Sequence, residues 1–401
     1  FGLRIADTRG YRLEAHGGSW VGYRTQALRY PELGLSVYVF CNSALADTWS
    51  LSKAVAELYL PEEANPVDNS SNAVESWPTD EWEVSSPAAE GMDADALTKL
   101  DQEFRSGVHG NVDSMLVIRN GRIVFEANYP NQYASVGTTG ADNPYNYLDT
   151  NWHPYYRASD LHTMQSTTKS VMSALVGIAI ARGDLPETHA TLGELLPHRN
   201  IQDPEKAAIS VENLLRMQSG FEWNEDTSYW DPENDATVAE AGDDWVAFLL
   251  AKPLIAKQGT VFRYNSVNTQ MLSEIVSTAT GMPLDDYADA HLFGPLGIGE
   301  YFWKTAPEGF KDVSGGLYLK PRDLARFALL YERDGEWNGT QILPPDWVRR
   351  SAAPYVPSTA DNFPVGYGLQ WWIYRHSNGA MPDMYGGWGW GGQFPLVVPE
   401  L

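Results

Sequence analysis

Ser166, Thr167, Thr168 and Lys169 set a hydroxyl and an amine three residues apart. On a helix that spacing puts both side chains on one face, a turn apart. A serine hydroxyl is a weak nucleophile until a neighbouring base takes its proton, and a lysine amine partly shielded from water can be that base. The run that follows carries Val171, Met172, Ala174, Leu175, Val176, Ile178 and Ala179. A helix apolar on nearly every side is a buried one. Gly183 ends it in the manner of a C-cap glycine. With an extended stretch from Asp160 to Gln165 leading in, Ser166 is expected at the start of a central helix over 166–182. Free backbone N–H groups and the positive dipole end favour developing negative charge there. The same four residues also fit an N-cap serine followed by a surface lysine. The spacing recurs at Ser50-Leu51-Ser52-Lys53, which reads as a decoy because no second motif stands in register behind it.

Two further stretches could complete a site. Tyr264-Asn265-Ser266 precedes another expected helix. A tyrosine at that entry can aim its hydroxyl at Ser166 and Lys169, and relay a proton when nearby cations ease its ionisation. The plainer reading is an aromatic packed at a loop–helix junction. Gly386 to Gly392 is nearly bare of side chains, Trp388 and Trp390 excepted, and Gln393 follows. Glycine within a strand pattern marks close approach by a ligand or another backbone. A substrate against this edge would receive a backbone N–H that completes an oxyanion hole with the N–H of Ser166. The plainer reading is a Gly/Trp turn packed for shape.

The elements that must position these residues follow from pattern. Strands are expected at Tyr11 to His16, Tyr23 to Tyr30 and Leu35 to Cys41, then a helix from Trp49 to Tyr59. Residues 61–86 are rich in Pro, Asn, Ser and acids and read as a linker. A domain opens at Pro87, where Asp93 caps a helix through Arg105 with Ala94, Leu97, Leu100 and Phe104 on one face. Ser114 to Arg119 and Arg122 to Asn128 flank Asn120-Gly121, the preferred two-residue hairpin turn. Helices are expected over 166–182, 210–217, 243–251, 268–280, 284–293 and 321–333, with Gly220, Gly259, Gly281 and Gly297 between them. Strand signals return at Gly366 to Tyr374 and at Phe394 to Val398. Sheet at both ends of a helical block predicts an α+β architecture, with one sheet drawing strands from both termini of the domain.

Composition removes several classes of function. The chain has 401 residues and a formal net charge of −24, which argues against nucleic acid and anionic membrane surfaces as partners. Nothing approaches the ~18 consecutive apolar residues of a spanning helix. Cys41 is the lone cysteine, so neither an intrachain disulfide nor a cysteine-based metal site can form. The histidines show no His-Glu-x-x-His pairing, and no motif calls for a metal or cofactor. The start, Phe1-Gly2-Leu3-Arg4, lacks a signal-peptide pattern. A signal removed earlier and a chain that begins mid-protein both fit, and the compartment and oligomeric state stay open.

The three motifs in this order resemble the serine β-lactamase and penicillin-binding-protein superfamily, in particular class C β-lactamase-like esterases, DD-peptidases and the 6-aminohexanoate-dimer hydrolase branch. The likeness covers nearly all of 87–401. Ser166 to Lys169 matches the first motif, and Tyr264-Asn265-Ser266 the second, usually Tyr-x-Asn. Trp390-Gly391-Gly392 matches the third, usually Lys-Thr-Gly, in a Trp-Gly-Gly form that some esterases carry. Leu214 to Gly220, Pro295 to Ile298 and Gly315 to Asp323 resemble supporting phrases of the group. The resemblance implies a β-lactamase/transpeptidase-like fold, an antiparallel sheet flanked by helices with a mainly helical subdomain.

It also implies catalytic roles for Ser166, Lys169 and Tyr264, and contact with the oxyanion or substrate from Trp390, Gly391, Gly392, Gln393 and Ser266. The second oxyanion N–H falls to Trp390 or Gln393, with Trp390 favoured. Ser266 stands where the group has asparagine, and no lysine or histidine occupies 388–392. Both departures fit the esterase and amide-hydrolase branch better than a β-lactamase or DD-peptidase. His16-Gly17-Gly18 and the strands and helix after it resemble the C-terminal end of such a domain, while the main domain stops short of its last strand and helix. Residues 1–60 are therefore an orphan tail of a tandem protein or, as in a circular permutant, the missing completion. The fragment reading is slightly preferred.

The expected activity is a serine hydrolase that passes through an acyl-enzyme on a small ester, amide or peptide-like substrate. The alternative is a non-catalytic penicillin-binding or sensor-like module. An unfolded, inactive fragment is the third possibility. The acidic, aromatic stretch Phe221 to Asp231 and on to Asp244 is the candidate for substrate choice, and an amine-bearing substrate would suit it. The plainer reading is a solvated acidic loop.

Overall fold

The computed structural model describes residues 4–8, 11–20, 23–30, 35–41, 48–57, 77–129 apart from 80, 91, 111 and 120, 161–357 apart from 230, 365–374, and 384–397 apart from 391, 392 and 394. The expected turn residue Asn120, the linker up to 76, and Gly391 and Gly392 lie outside the described residues. No described helix is long and apolar enough to cross a membrane.

Helix α3 (Thr168–Arg182) is the axis of the main core. Its residues from Thr168 to Ala179 are all buried, as a helix apolar all round must be. Gly183 caps it in the left-handed conformation at φ 78°. Gly177 lets a neighbour close on the axis: a Cβ there would lie 2.6 Å from the Trp347 ring. Helix α4 (Ser266–Thr280) packs alongside, begun by Asn265, whose side chain accepts from Asn268 N at 3.1 Å. It begins two residues earlier than its apolar pattern predicts, because this cap fixes the start. Gln370 fastens the two helices from the sheet side: Ser170 Oγ donates to its carbonyl at 2.9 Å and Thr269 Oγ1 to its Oε1 at 2.7 Å.

Every described strand pair is antiparallel, and one isolated parallel bridge joins Val84 to Ile123. Strands β1–β4 (Arg4–Thr8, Tyr11–Trp20, Tyr23–Tyr30, Leu35–Cys41) form one sheet in that order. Strands β5 and β6 (Ser114–Arg119, Arg122–Asn128) form the expected hairpin. Strands β7 (His162–Thr163), β8 (Phe302–Trp303) and β9 (Leu317–Leu319) make a sheet in the order β7-β9-β8. Strands β10 and β11 (Glu336–Trp337, Thr340–Gln341) form a ribbon, and β12–β16 (Val356–Pro357, Val365–Tyr367, Trp372–Tyr374, Met384–Gly386, Leu396–Val397) a five-stranded sheet.

Two expectations change. The run from Gly366 to Tyr374 is a hairpin, not one strand. Gly368 N donates to Trp371 O at 2.8 Å and Gln370 turns at φ 64°. Here the chain lies close against Ser351, whose carbonyl is 1.8 Å from where a Cβ on Gly368 would sit, so only glycine fits. And among the described residues β5–β6 and the five-stranded sheet are separate, so the single shared sheet is not seen there.

Helix α1 (Thr48–Glu57) and the β1–β4 sheet share a core with helix α2 (Ala94–Ser106). Leu13, Ala15, Leu28, Tyr30, Val37, Leu51 and Ala56 are buried with Leu100, and Phe104 and Met115 pack against them. Strand β4 pairs with β3, and β16 with β15. The pairing of 35–41 beside 394–398 anticipated for a permutant is not seen among the described residues, yet the tail does not stand apart. In the second Ser-x-x-Lys on α1, Leu51 and Ser52 are buried while Ser50 is exposed and Lys53 part-buried.

Midway along α4 a buried carboxylate anchors an ionic cluster. Glu274, 1% exposed, accepts from His198 Nε2 at 2.7 Å and from Arg199 Nε and Nη2 at 2.7 and 2.8 Å. Nearby Glu308 has no hydrogen-bond partner for Oε2, and burial pushes it up to about 7. A carboxyl raised in the fold keeps its proton there longer than in the unfolded chain. Its contribution to stability is full below about pH 4.5 and is lost as pH rises through about 7. Glu308→Gln removes that loss. Between pH 5.5 and pH 8 the variant should gain stability relative to the native chain by about 1–2 kcal/mol, a figure discounted for the group's part exposure. Denaturation midpoints at the two pH values measure it, and an unchanged difference contradicts it.

Candidate active site

Strand β7 pairs with β9, and Met164 N donates to Leu317 O at 2.8 Å. The chain then turns sharply, because Gln165 adopts φ 46°, uncommon for a residue with a side chain. Gln165 Nε2 donates to Thr163 Oγ1 at 3.0 Å, which helps hold the turn. A 3₁₀ turn over Gln165–Thr167 leads into α3. Ser166 is half-buried while Met164, Gln165 and every residue from Thr167 to Ala179 are buried. The serine is thus the one point of this stretch presented outward, at the head of the buried helix.

Lys169 lies one turn along α3 and is 1% exposed. Its Nζ donates to Ser166 Oγ at 3.1 Å and to the carbonyl of Ser314 at 2.6 Å. The Tyr264 ring lies beneath it, 5.1 Å from Nζ to the centroid. Burial raises the Tyr264 phenol, Lys169 draws it down, Glu225 pushes it up, and hydrogen bonds with Ser166 and Lys169 draw it down; the net shift is upward. Sequence reasoning expected neighbouring cations to ease its ionisation. Here burial outweighs the single amine, so the group is kept as a phenol. Three side chains from two distant segments are therefore brought together.

The glycine-rich segment closes the other side. A Cβ on Gly389 would lie 2.4 Å from Met164 O, and one on Gly387 2.9 Å from Thr167 Oγ1. Thr167 Oγ1 donates to Gln393 O at 2.9 Å. Gly389 and Gln393 exchange backbone hydrogen bonds of 2.9 and 3.3 Å, so Trp390 sits in a tight turn. The N–H of Gln393 is thereby engaged with Gly389 O. Gly391 and Gly392 are outside the described residues.

Ser266 occupies the first turn of α4 and faces a carboxylate. Its N–H and hydroxyl donate to Glu225 at 2.8 and 2.6 Å, and Trp223 Nε1 and Tyr229 OH donate to the same group at 2.8 and 2.9 Å. Glu225 comes from the acidic stretch flagged for substrate choice, but nothing in the sequence marks it out from the acids around it. A second hub, Asp312, fixes the loop that meets Lys169. Its Oδ1 accepts from Ser314 N at 2.9 Å, Ser314 Oγ at 2.6 Å and Gly315 N at 3.1 Å. Gln270 braces the same loop, accepting from Val313 N at 3.1 Å and donating to Lys311 O at 3.2 Å. An Asp two residues before Ser-Gly-Gly is a turn signal that could have been read.

With the fold and this geometry in view, the class is defined. The chain belongs to the beta-lactamase family, whose model matches residues 100–401. It is similar to the 6-aminohexanoate-dimer hydrolase of Paenarthrobacter ureafaciens, 27% identical over 247 residues, 56% of this chain and 62% of that enzyme. It is also similar to an N-acetylmuramyl-L-alanine amidase of Bacillus subtilis (strain 168), 25% identical over 226 residues, 54% of this chain and 48% of that protein. The chain thus spans less than two thirds of the length of these curated relatives. Among solved structures, a Bacillus anthracis protein provisionally assigned as a 6-aminohexanoate-dimer hydrolase superposes with a TM-score of 0.57. That match has 20% identity and covers 76% of this chain and 73% of the other, a likeness of fold.

Because Asp312 is buried and accepts three hydrogen bonds, Asp312→Ala leaves buried donors unsatisfied. It should lower stability by about 2–4 kcal/mol. Asp312→Asn keeps an acceptor oxygen and should lose no more than about half of that. Urea melts compare the two, and equal losses contradict the hub.

Proposed function

We propose that this protein is a serine hydrolase that cleaves an ester or amide carbonyl through an acyl-enzyme on Ser166. One observation carries the reading: a half-exposed serine at the head of a buried helix, its oxygen 3.1 Å from the amine of Lys169. The Ser166 proton passes to Lys169 along that contact as Oγ forms its bond to the substrate carbonyl carbon. The negative charge that develops on the carbonyl oxygen is held by the backbone N–H of Ser166 and that of Trp390, the Gln393 N–H being engaged elsewhere. Tyr264, held as a phenol, passes a proton to the leaving group as the carbon–oxygen or carbon–nitrogen bond breaks, and is reprotonated from Lys169. Water then attacks the acyl-enzyme with the same pair as base, and Ser166 is released with its proton restored.

Two features support an esterase or amide hydrolase over a β-lactamase. The hydroxyl and N–H of Ser266 are both engaged with Glu225. Gly387, Trp388 and Gly389 offer no cation for a substrate carboxylate.

Ser166→Ala should lower turnover of p-nitrophenyl acetate by at least about a thousandfold while the thermal melt stays in place. Unchanged turnover contradicts the assignment. Stoichiometric acylation of Ser166 without turnover would make the protein an acyl-accepting module instead.

A further inference from the structure

Beside Tyr264 the chain builds a continuous wall of aromatic rings that the proposed chemistry does not use. Trp372 stacks on Tyr264, with centroids 5.7 Å apart and planes 20° from parallel. Trp388 meets Trp372 edge-on at 5.7 Å, and Phe262 meets it at 6.2 Å. Tyr367 backs the group, 4.9 Å from Trp372 and 5.2 Å from Phe262. The backing ring is buried at 1% exposure, while Phe262, Tyr264, Trp372 and Trp388 are each only part-buried. Isolated part-exposed aromatic residues need no explanation, but contiguous ones beside a reactive group mark a binding surface.

Among the described residues, the charged side chains next to this surface in the chain are engaged elsewhere. Arg263, between Phe262 and Tyr264, sends Nη1 to the carbonyl of Trp223 at 2.8 Å. Glu225, on the other side of Tyr264, is occupied by Ser266, Trp223 and Tyr229. At 387–389 there is Trp388 between two glycines, so the strand beside Thr167 carries an indole where a charged side chain would select anions.

We propose that Phe262, Trp372 and Trp388 form a subsite for a flat, aromatic group of the substrate, so that the preferred substrates are uncharged esters or amides with an aryl group close to the scissile carbonyl. The inference rests on the hydrolase reading and names its substrate class. Offset or edge-to-face contacts with two indoles favour an aryl group over a saturated ring of equal size. The wall reaches the reacting atoms through Tyr264, whose ring is shared between Trp372 on one face and the Lys169 amine.

Hydrolysis of methyl phenylacetate, methyl cyclohexylacetate and methyl acetate, followed by pH-stat, tests this, with fluorophosphonate labelling of Ser166 run in parallel. The native chain should prefer phenylacetate over cyclohexylacetate by roughly five- to tenfold in kcat/KM. Trp372→Leu and Trp388→Leu should each reduce that ratio at least about threefold, mainly through KM. Trp388→Leu carries the test alone if Trp372→Leu does not fold. Equal rates on the two ring esters, with no change in either variant, overturn the subsite and leave the hydrolase standing. No hydrolysis of any ester and no labelled Ser166 overturn both.

Discussion

An amine is stable in a protein interior only where acceptors replace the water it has lost. Lys169 is 1% exposed, and its amine donates to the hydroxyl of Ser166 and the carbonyl of Ser314. That constraint orders the molecule around it. The apolar body of α3 withdraws the amine from solvent, and Asp312 and Gln270 hold the 311–316 loop so that the Ser314 carbonyl points back at it. Ser166 is left as the part-exposed partner of a buried amine. The Tyr264 ring closes the pocket beneath the amine, 5.1 Å from Nζ to the centroid.

The second organising feature is the absence of side chains at 387 and 389. Glycine there lets one backbone lie against Met164 and Thr167, which brings a strand edge to the serine. The indoles of Trp388 and Trp390 flank those bare positions. A site built this way offers backbone dipoles and aromatic surface but little charge. It sits in a chain of net charge −24, whose acidity concerns solubility and long-range repulsion and not the chemistry.

What could be read from residues alone is what depends on local pattern. The all-round apolar run gave α3, the Asn-Gly pair gave the hairpin, and left-handed glycines ended helices at Gly183 and Gly281. The family resemblance carried by the ordered motifs implied a meeting of Ser166, Lys169 and Tyr264, and the amine of Lys169 lies 3.1 Å from Ser166 Oγ and 5.1 Å from the Tyr264 ring. What was not legible depends on contacts far apart in the chain. Gln165 is no natural occupant of positive φ, and only its surroundings put it there. Glu225 is one acid among many until Ser266, Trp223 and Tyr229 converge on it. The approach of Gly368 to Ser351, close enough that only glycine fits, is a contact that no alternation reveals. The packing of α1 on α2 joins segments nearly forty residues apart, so neither pattern could announce it.

The central claim is that Ser166 is a nucleophile made reactive by the buried amine of Lys169. Its most direct test is the mass of the intact protein after exposure to a fluorophosphonate, followed by peptide mapping, on the native chain and on Lys169→Ala. The account predicts one adduct, on the peptide that carries Ser166, formed at least about a hundredfold more slowly once the amine is gone. An adduct on another serine, or equal labelling rates in the two proteins, would contradict it.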